Sequence, residues 1–294
     1  MRHELPTGLT VSLDNVKAVV LAAGKGVRMK SDRPKVLHQV LGRPVLDYVL
    51  RHLRQAGVSD IIVVVGHQAD RVRAAAPGCR FIEQKEQKGT GHALLQAEAA
   101  LEGFAGDLFV VAGDAPLVGP NTLQRVLEDH RAQGREATFL SACLDDPTGY
   151  GRVVREKESR RFLRFAEETD ATPEEKDIPE CNSGEYVFRC PGIFEALRGV
   201  KPNNKKGELY LTDEAALLVT RPDTFVRAGQ SSATILEGPF TRSLLKAQEI
   251  AVGMGARTLS AYIPYDAYQI SVAKRLGFRR SRWGIHALVF EKRI

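Results

Sequence analysis

Apolar residues in this chain fall into short unbroken runs, at 17–23, 61–65 and 107–112, each ending at or near a glycine or a charged residue. Runs this short and this uniformly apolar read as strands buried on both faces, the kind parallel sheets use. Less regular strand signals lie at 80–84 and 137–143. Between the runs the apolar spacing turns helical. Val45, Leu46, Val49, Leu50 and Leu53 share one face after Pro44, and Gly57 closes the segment. Helices are likewise predicted over 69–76, 90–101 and 121–133, with Thr90 placed as an N-cap. Strand and helix alternate, which predicts an α/β fold: a Rossmann-like, mostly parallel sheet with helices on both faces.

After residue 145 the alternation stops. Short strands are predicted at 151–155, 161–165 and 185–190, helices at 191–198 and 212–220, and a polar, acidic surface loop at 170–180. This stretch reads as an extension of the first domain, over about 145–235. A last segment follows, with helices at 243–254 and 266–276 and strands at 257–263 and 286–291. Two units are therefore expected, a main domain over 1–240 and a small α/β appendage over 241–294.

Composition adds one asymmetry. The 294 residues are 43% hydrophobic and 27% charged, ample for a packed core, and the formal net charge is +6. The pI of about 9.2 suggests a basic protein. Yet residues 269–294 alone carry seven basic side chains and one acid, which is the whole of that +6. The remainder is balanced, 35 basic against 35 acidic residues, so a broad nucleic-acid-binding face on the main body is not expected. No apolar run approaches the roughly 20 residues of a membrane helix, and residues 1–15 do not read as a secretory signal. Cys79, Cys143, Cys181 and Cys190 show neither CxxC nor zinc-finger spacing, so reduced thiols in a cytoplasmic chain are expected.

The first strand runs into Leu21-Ala22-Ala23-Gly24-Lys25-Gly26, followed by Arg28 and Lys35. Glycines at 24 and 26 let backbone N–H groups approach a phosphate closely, and the cations add charge. The pattern is neither a P-loop nor a dinucleotide fingerprint: Met29 stands where a third glycine would be needed. Asp114 follows the strand 107–112 in Gly113-Asp114-Ala115-Pro116, at the strand end where open α/β sheets bind ligands.

These stretches resemble the motifs of the sugar-nucleotide pyrophosphorylases. The resemblance is nearest to the nucleotidyltransferase domain of the N-acetylglucosamine-1-phosphate uridylyltransferases. It rests on LAAGKGVRMKSDRPKVLH at 21–38, QKEQKGTGHA at 84–93, GDAPL at 113–117 and DDPTGYGR at 145–152. It continues through Glu167, Asn182-Ser183-Gly184 and GELYLTD at 207–213, and covers about 17–242. It implies uridylyl transfer from UTP to N-acetylglucosamine 1-phosphate, with Mg²⁺ as cofactor. Arg28 and Lys35 would be catalytic, acting on the α-phosphate and the leaving group. Leu21, Ala22, Ala23, Gly24, Lys25, Gln84, Gly89 and Thr90 would bind the nucleotide, Gln84 and Gly89 reading the uracil. Gly151, Glu167, Asn182, Tyr210 and Thr212 would recognise the sugar, and Asp114 would be the metal ligand. The attacking phosphate oxygen is already an anion, so no general base is required.

Two departures keep other readings open. Phe240 stands where the family has its second metal ligand, an Asn, and phenylalanine cannot ligate Mg²⁺. Alternatives are therefore another sugar 1-phosphate or nucleotide, or a catalytically impaired sugar-nucleotide-binding module. The hexapeptide repeats of a left-handed β-helix, which follow this domain in the bacterial bifunctional enzyme, are not present. Instead 255–279 resembles the end of a GNAT-type acetyltransferase, without that fold's pyrophosphate-binding loop. A docking, capping or homo-oligomerising appendage is expected there.

Overall fold

The computed structural model describes residues 15–26, 29, 31–159, 161–199 and 207–212, and the backbone of 258–264, 279–283 and 287–293. Strand β1 (Val16–Ala22) leads through a turn and a two-residue ladder, β2 (Gln39–Val40) with β3 (Arg43–Pro44), into helix α1 (Val45–Gln55). There follow β4 (Asp60–Val65), α2 (Ala69–Ala75), β5 (Arg80–Glu83), α3 (Thr90–Leu95), β6 (Asp107–Ala112), α4 (Pro120–Ala132) and β7 (Ala137–Cys143). The extension supplies β8 (Arg152–Arg155), β9 (Phe162–Ala166), α5 (Pro173–Lys176), β10 (Glu180–Arg189) and α6 (Gly192–Gly199).

The main sheet has the order β5-β4-β1-β6-β10-β8-β9, with β7 also paired to β10. β5, β4, β1 and β6 are mutually parallel, as expected. β10 then enters antiparallel beside β6, Tyr186 opposite Val110 and Phe188 opposite Leu108. Side chains alternate across this sheet, so each buried strand feeds two cores. Val19, Ile62, Val64, Leu108 and Val110 pack with α3 and α6. Ala18, Val20, Ile61, Val63, Phe109 and Val111 pack with α1, α2 and α4 on the other face. This is why the strand sequences read as continuous apolar runs.

The edge of the sheet away from the strand C-termini is pinned by charge. Asp107, 2% exposed, meets Arg131 Nε at 2.5 Å, Arg189 Nη1 at 2.9 Å and His130 Nε2 at 3.5 Å. Burial alone would raise its pKa. The close approach of His130, the hydrogen bond from Arg131 and the charge of Arg189 outweigh burial, so the carboxyl titrates below its ordinary value. A depressed folded-state pKa contributes stability above the unfolded pKa, about 3.9 for aspartate, and that stability is lost as pH falls through the folded value. Asp107→Asn is expected to cost about 1–3 kcal/mol at pH 7, since it removes a buried, charge-assisted acceptor while Arg131 and Arg189 stay partly exposed. In urea unfolding, the gap between wild type and variant should shrink as pH falls below about 4.

Several elements differ from the sequence expectation. The helix predicted over 90–101 ends at Leu95, because Ala97 N, Glu98 N and Ala100 N bond three residues back and tighten the chain into a 3-10 turn at Ala99–Leu101. Thr90 does not cap it; Gly89 holds the N-cap position without a side-chain bond. The loop expected at 170–180 contains α5, closed by a capping box between Thr172 and Glu175. β10 starts at Glu180 rather than 185, because Glu180, Cys181 and Asn182 pair with Cys143, Ala142 and Ser141 of β7.

The last segment forms a three-stranded antiparallel sheet of β11 (Thr258–Pro264), β12 (Arg279–Trp283) and β13 (Ala287–Arg293), in the order β11-β13-β12. β12 was not expected: its run of arginines carries no alternation. The expected helices at 243–254 and 266–276, and 213–220 of the helix placed at 212–220, lie outside the described residues. All four cysteines are free.

Candidate active site

Leu21 of β1 pairs with Ala112 of β6, so the C-terminal ends of the two strands lie side by side. From β1 the chain passes to β4 and β5 on one side, then returns to β6 on the other. Such a reversal opens a crevice above the strand ends, where open α/β sheets hold ligands. Leu21 and Ala22 close β1 beneath it, Ala23 is buried, and Gly24 and Lys25 are exposed at its mouth. A side chain on Gly26, at φ 61°, would begin 2.8 Å from Lys35 Cβ. Only glycine lets this loop fold down onto Lys35.

Lys35 and Asp114 form an ion pair across the crevice, both partly exposed. Asp114 is carried there by the turn after β6, where Gly113 N donates to Leu21 O at 2.9 Å. Gln84 follows β5 and is 3% exposed. Its Nε2 donates to Gly89 O at 3.1 Å and lies 2.9 Å from His92 Nδ1. In the His92 tautomer with a bare Nδ1, both amide hydrogens are committed, which leaves Oε1 as the group Gln84 can offer a ligand. Nothing in the sequence singled out His92. The signal was its position, three residues into α3 after Gly89, where the first helical turn brings it back over Gln84.

The residues expected on the sugar side gather on the extension. Asn182 N donates to Gly151 O at 2.8 Å, and a Cβ on Gly151 would meet the Glu167 carboxylate at 3.2 Å. Thr212 Oγ1 donates to Glu167 Oε1 at 2.9 Å. Asn182 is a strand residue whose Nδ2 donates to Tyr186 Oη at 2.6 Å. Arg152 holds these loops from below. Its guanidinium, 1% exposed as a residue, meets Glu168 Oε2 at 2.9 Å, Lys176 O at 3.1 Å and Tyr150 O. Sequence reasoning assigned Arg152 no role, because nothing local reveals an arginine buried among three loops.

The two halves are joined by the segment 207–212, which lies across the start of α3. Leu209 N donates to Lys88 O and Leu209 O accepts from Gly91 N, both at 2.8 Å. Thr90 Oγ1 accepts from Leu211 N at 2.9 Å. One strap thus places Thr212 beside Glu167 while bonding to the Gly89–Gly91 turn. Thr90, which the resemblance assigns to the nucleotide, serves this strap through its hydroxyl. Arg28 and Phe240 lie outside the described residues.

Glu185 is an unforeseen component. It is 4% exposed, and neither carboxylate oxygen has a hydrogen-bond partner among the described residues. Burial pushes its pKa up to about 8; the Ser183 hydroxyl acts in the opposite direction, and the charge of Asp114 adds to the rise.

The sequence profile of the MobA-like NTP transferase domain family matches residues 18–204, more than half of the chain. The chain belongs to that family. Within the NTP transferase domain, the matched region contains the crevice loop, Gln84, Asp114 and the extension as far as α6. Similar full-length proteins include the bifunctional protein GlmU of Pelotomaculum thermopropionicum, 46% identical over 76% of this chain and 48% of the relative. The bifunctional protein GlmU of Syntrophomonas wolfei is 44% identical over 71% and 46%. That of Lactococcus lactis is 41% identical over 86% and 54%. The chain thus spans about half the length of the curated relatives it matches. Among solved structures, a UDP-glucose pyrophosphorylase complexed with UDP-glucose superposes with a TM-score of 0.54 at 21% identity, over 68% of this chain and 87% of that one. The UDP-glucose pyrophosphorylase from Acinetobacter baumanii gives 0.53 at 21% identity, over 69% and 81%. These establish the transferase fold. No helix among the described residues is long and apolar enough to cross a membrane.

Proposed function

We propose that this NTP transferase domain transfers the uridylyl group of UTP to N-acetylglucosamine 1-phosphate, giving UDP-N-acetylglucosamine and pyrophosphate. The observation that supports the reading is the strap: Leu211 bonded to Thr90 and Thr212 bonded to Glu167 join the Gly89–Gly91 turn to the extension, where the resemblance expects nucleotide and sugar residues. A phosphate oxygen of the sugar phosphate attacks the α-phosphorus of UTP, the bond from that phosphorus to the β-phosphate oxygen breaks, and pyrophosphate leaves. No proton need be removed from the nucleophile. The barrier is charge repulsion, met by cations and backbone N–H groups held in place beforehand. Lys35, and Arg28 by resemblance, supply the positive charge, and the 22–26 backbone lines the triphosphate.

Gln84 gives the base preference a physical cause. With Nε2 committed to Gly89 and His92, Oε1 accepts from the N3–H of uracil, whereas the N3 of cytosine is itself an acceptor. The donor chemistry also suits Mg²⁺, which favours carboxylate and phosphate oxygens: Asp114 is partly exposed at the crevice, and Glu185 is a buried carboxylate without a partner. Asp114 would hold the ion, which when bound neutralises charge on the phosphates.

Pyrophosphate release tests the reading. UTP with N-acetylglucosamine 1-phosphate and Mg²⁺ is expected to turn over, with CTP at least about 100-fold poorer in kcat/KM. Turnover of a different pair and none with this one would overturn the assignment. Binding of UDP-N-acetylglucosamine without turnover of any pair would favour a binding module instead.

A further inference from the structure

Among the described residues, Glu185 is the buried carboxylate whose two oxygens both lack a hydrogen-bond partner. The comparable buried acids are covered: Glu180 by Arg155 at 2.7 Å and Ser141 at 2.8 Å, Asp107 by Arg131 and Arg189. The nearby Ser183 hydroxyl gives its hydrogen to Leu140 O. Burying a carboxylate without a counter-charge is among the most unfavourable arrangements a side chain can take. A cation beside it would offset that cost.

The surroundings indicate where that cation would sit. A Cβ on Gly184 would lie 3.5 Å from Ala112 Cβ, so β10 stays against β6 up to its last residue, two before Asp114. Among the described residues Asp114 is the charged group felt at Glu185, and it is negative. Asp114 itself is held by Lys35, an ion pair open to solvent on both sides. Resting on the reading of Asp114 as a cation ligand, we propose that Glu185 is a second carboxylate for the same divalent cation, so that the ion draws on β6 and β10 together. Two carboxylates with substrate phosphates make a donor set that Mg²⁺ or Mn²⁺ accepts. The arrangement also supplies an anionic oxygen in a chain that has Phe240 where the resemblance expects an oxygen ligand.

The experiment is a titration of the full chain with Mn²⁺, followed by electron paramagnetic resonance, on wild type, Glu185→Gln and Asp114→Asn. Melting temperatures with and without Mn²⁺ accompany it. Glutamine keeps the shape of residue 185 and removes the buried ionisable group, so the variant is expected to melt at or above wild type without metal. Wild type is expected to bind one Mn²⁺, Glu185→Gln to bind it at least about 10-fold more weakly, and Mn²⁺ to raise the melting temperature of wild type more than that of the variant. If Glu185→Gln binds Mn²⁺ as tightly as wild type while Asp114→Asn does not, Glu185 is excluded and the role of Asp114 stands. If Asp114→Asn also binds as tightly, or wild type binds none, the reading of Asp114 fails and this proposal with it.

Discussion

Asp114→Ala is expected to slow pyrophosphate release by about 10³-fold or more, the scale seen when preorganised charge at a reacting phosphate is removed. The melting temperature should stay within about 3 °C of wild type, because a partly exposed ion pair contributes little to stability. The physical reason lies in the crevice. Asp114 occupies a rigid turn after β6, held by Gly113 N on Leu21 O, and its described partner is the Lys35 ammonium. Without the carboxylate, Lys35 loses its anchor, and on the proposed reading a cation on the phosphates would lose one of its ligands. The loss should therefore fall mainly on kcat. Near-normal turnover would remove Asp114 from the machinery. A large drop in melting temperature would mean that its role is structural.

Gly89→Ala is expected to damage both substrate sites at once. Gly89 has φ 105° and ψ 174°, a region open essentially to glycine alone, which costs an alanine at least about 1–2 kcal/mol. Its Cβ would come within 2.9 Å of the carbonyl carbon and amide nitrogen of Leu209, and closer to the carbonyl oxygen. These are backbone atoms that cannot swing aside, so the strap must move. A further 1–3 kcal/mol, roughly, is the usual cost of such overpacking, for about 2–5 kcal/mol in all. The displaced strap carries Thr212 away from Glu167 and disturbs the Gly89 carbonyl that holds Gln84. A shift near 1 Å costs about 100-fold in rate, so kcat/KM should fall by at least that much, with KM rising for both the nucleotide and the sugar phosphate. A variant with a normal melting temperature and an unchanged KM for either substrate would show that the strap does not couple the two halves.

The contrast between those two residues indicates what a single sequence can reveal. Asp114 was legible because it follows an apolar strand, and strand ends in an α/β chain are where ligands bind. Gly89 was legible only as part of a motif; its physical role depends on Leu209, 120 residues later in the chain. The same holds for His92 on Gln84 and for Arg152 beneath the sugar-side loops. Thr90 shows the opposite error. A threonine opening a helix suggests a cap, but the structure gives its hydroxyl to Leu211.

The parallel strands, the helices between them and the position of the crevice loop followed from apolar periodicity, because burial on one or two faces imprints a local repeat on the sequence. β10 running antiparallel beside β6, the strap over α3 and the burial of Glu185 did not follow from it. A glutamate at the start of a predicted strand reads as solvated, and no local rule says which neighbour a strand will choose. Pairing and burial are set by contacts between residues far apart in the chain, and only the folded arrangement of β6, β10 and 207–212 decided them.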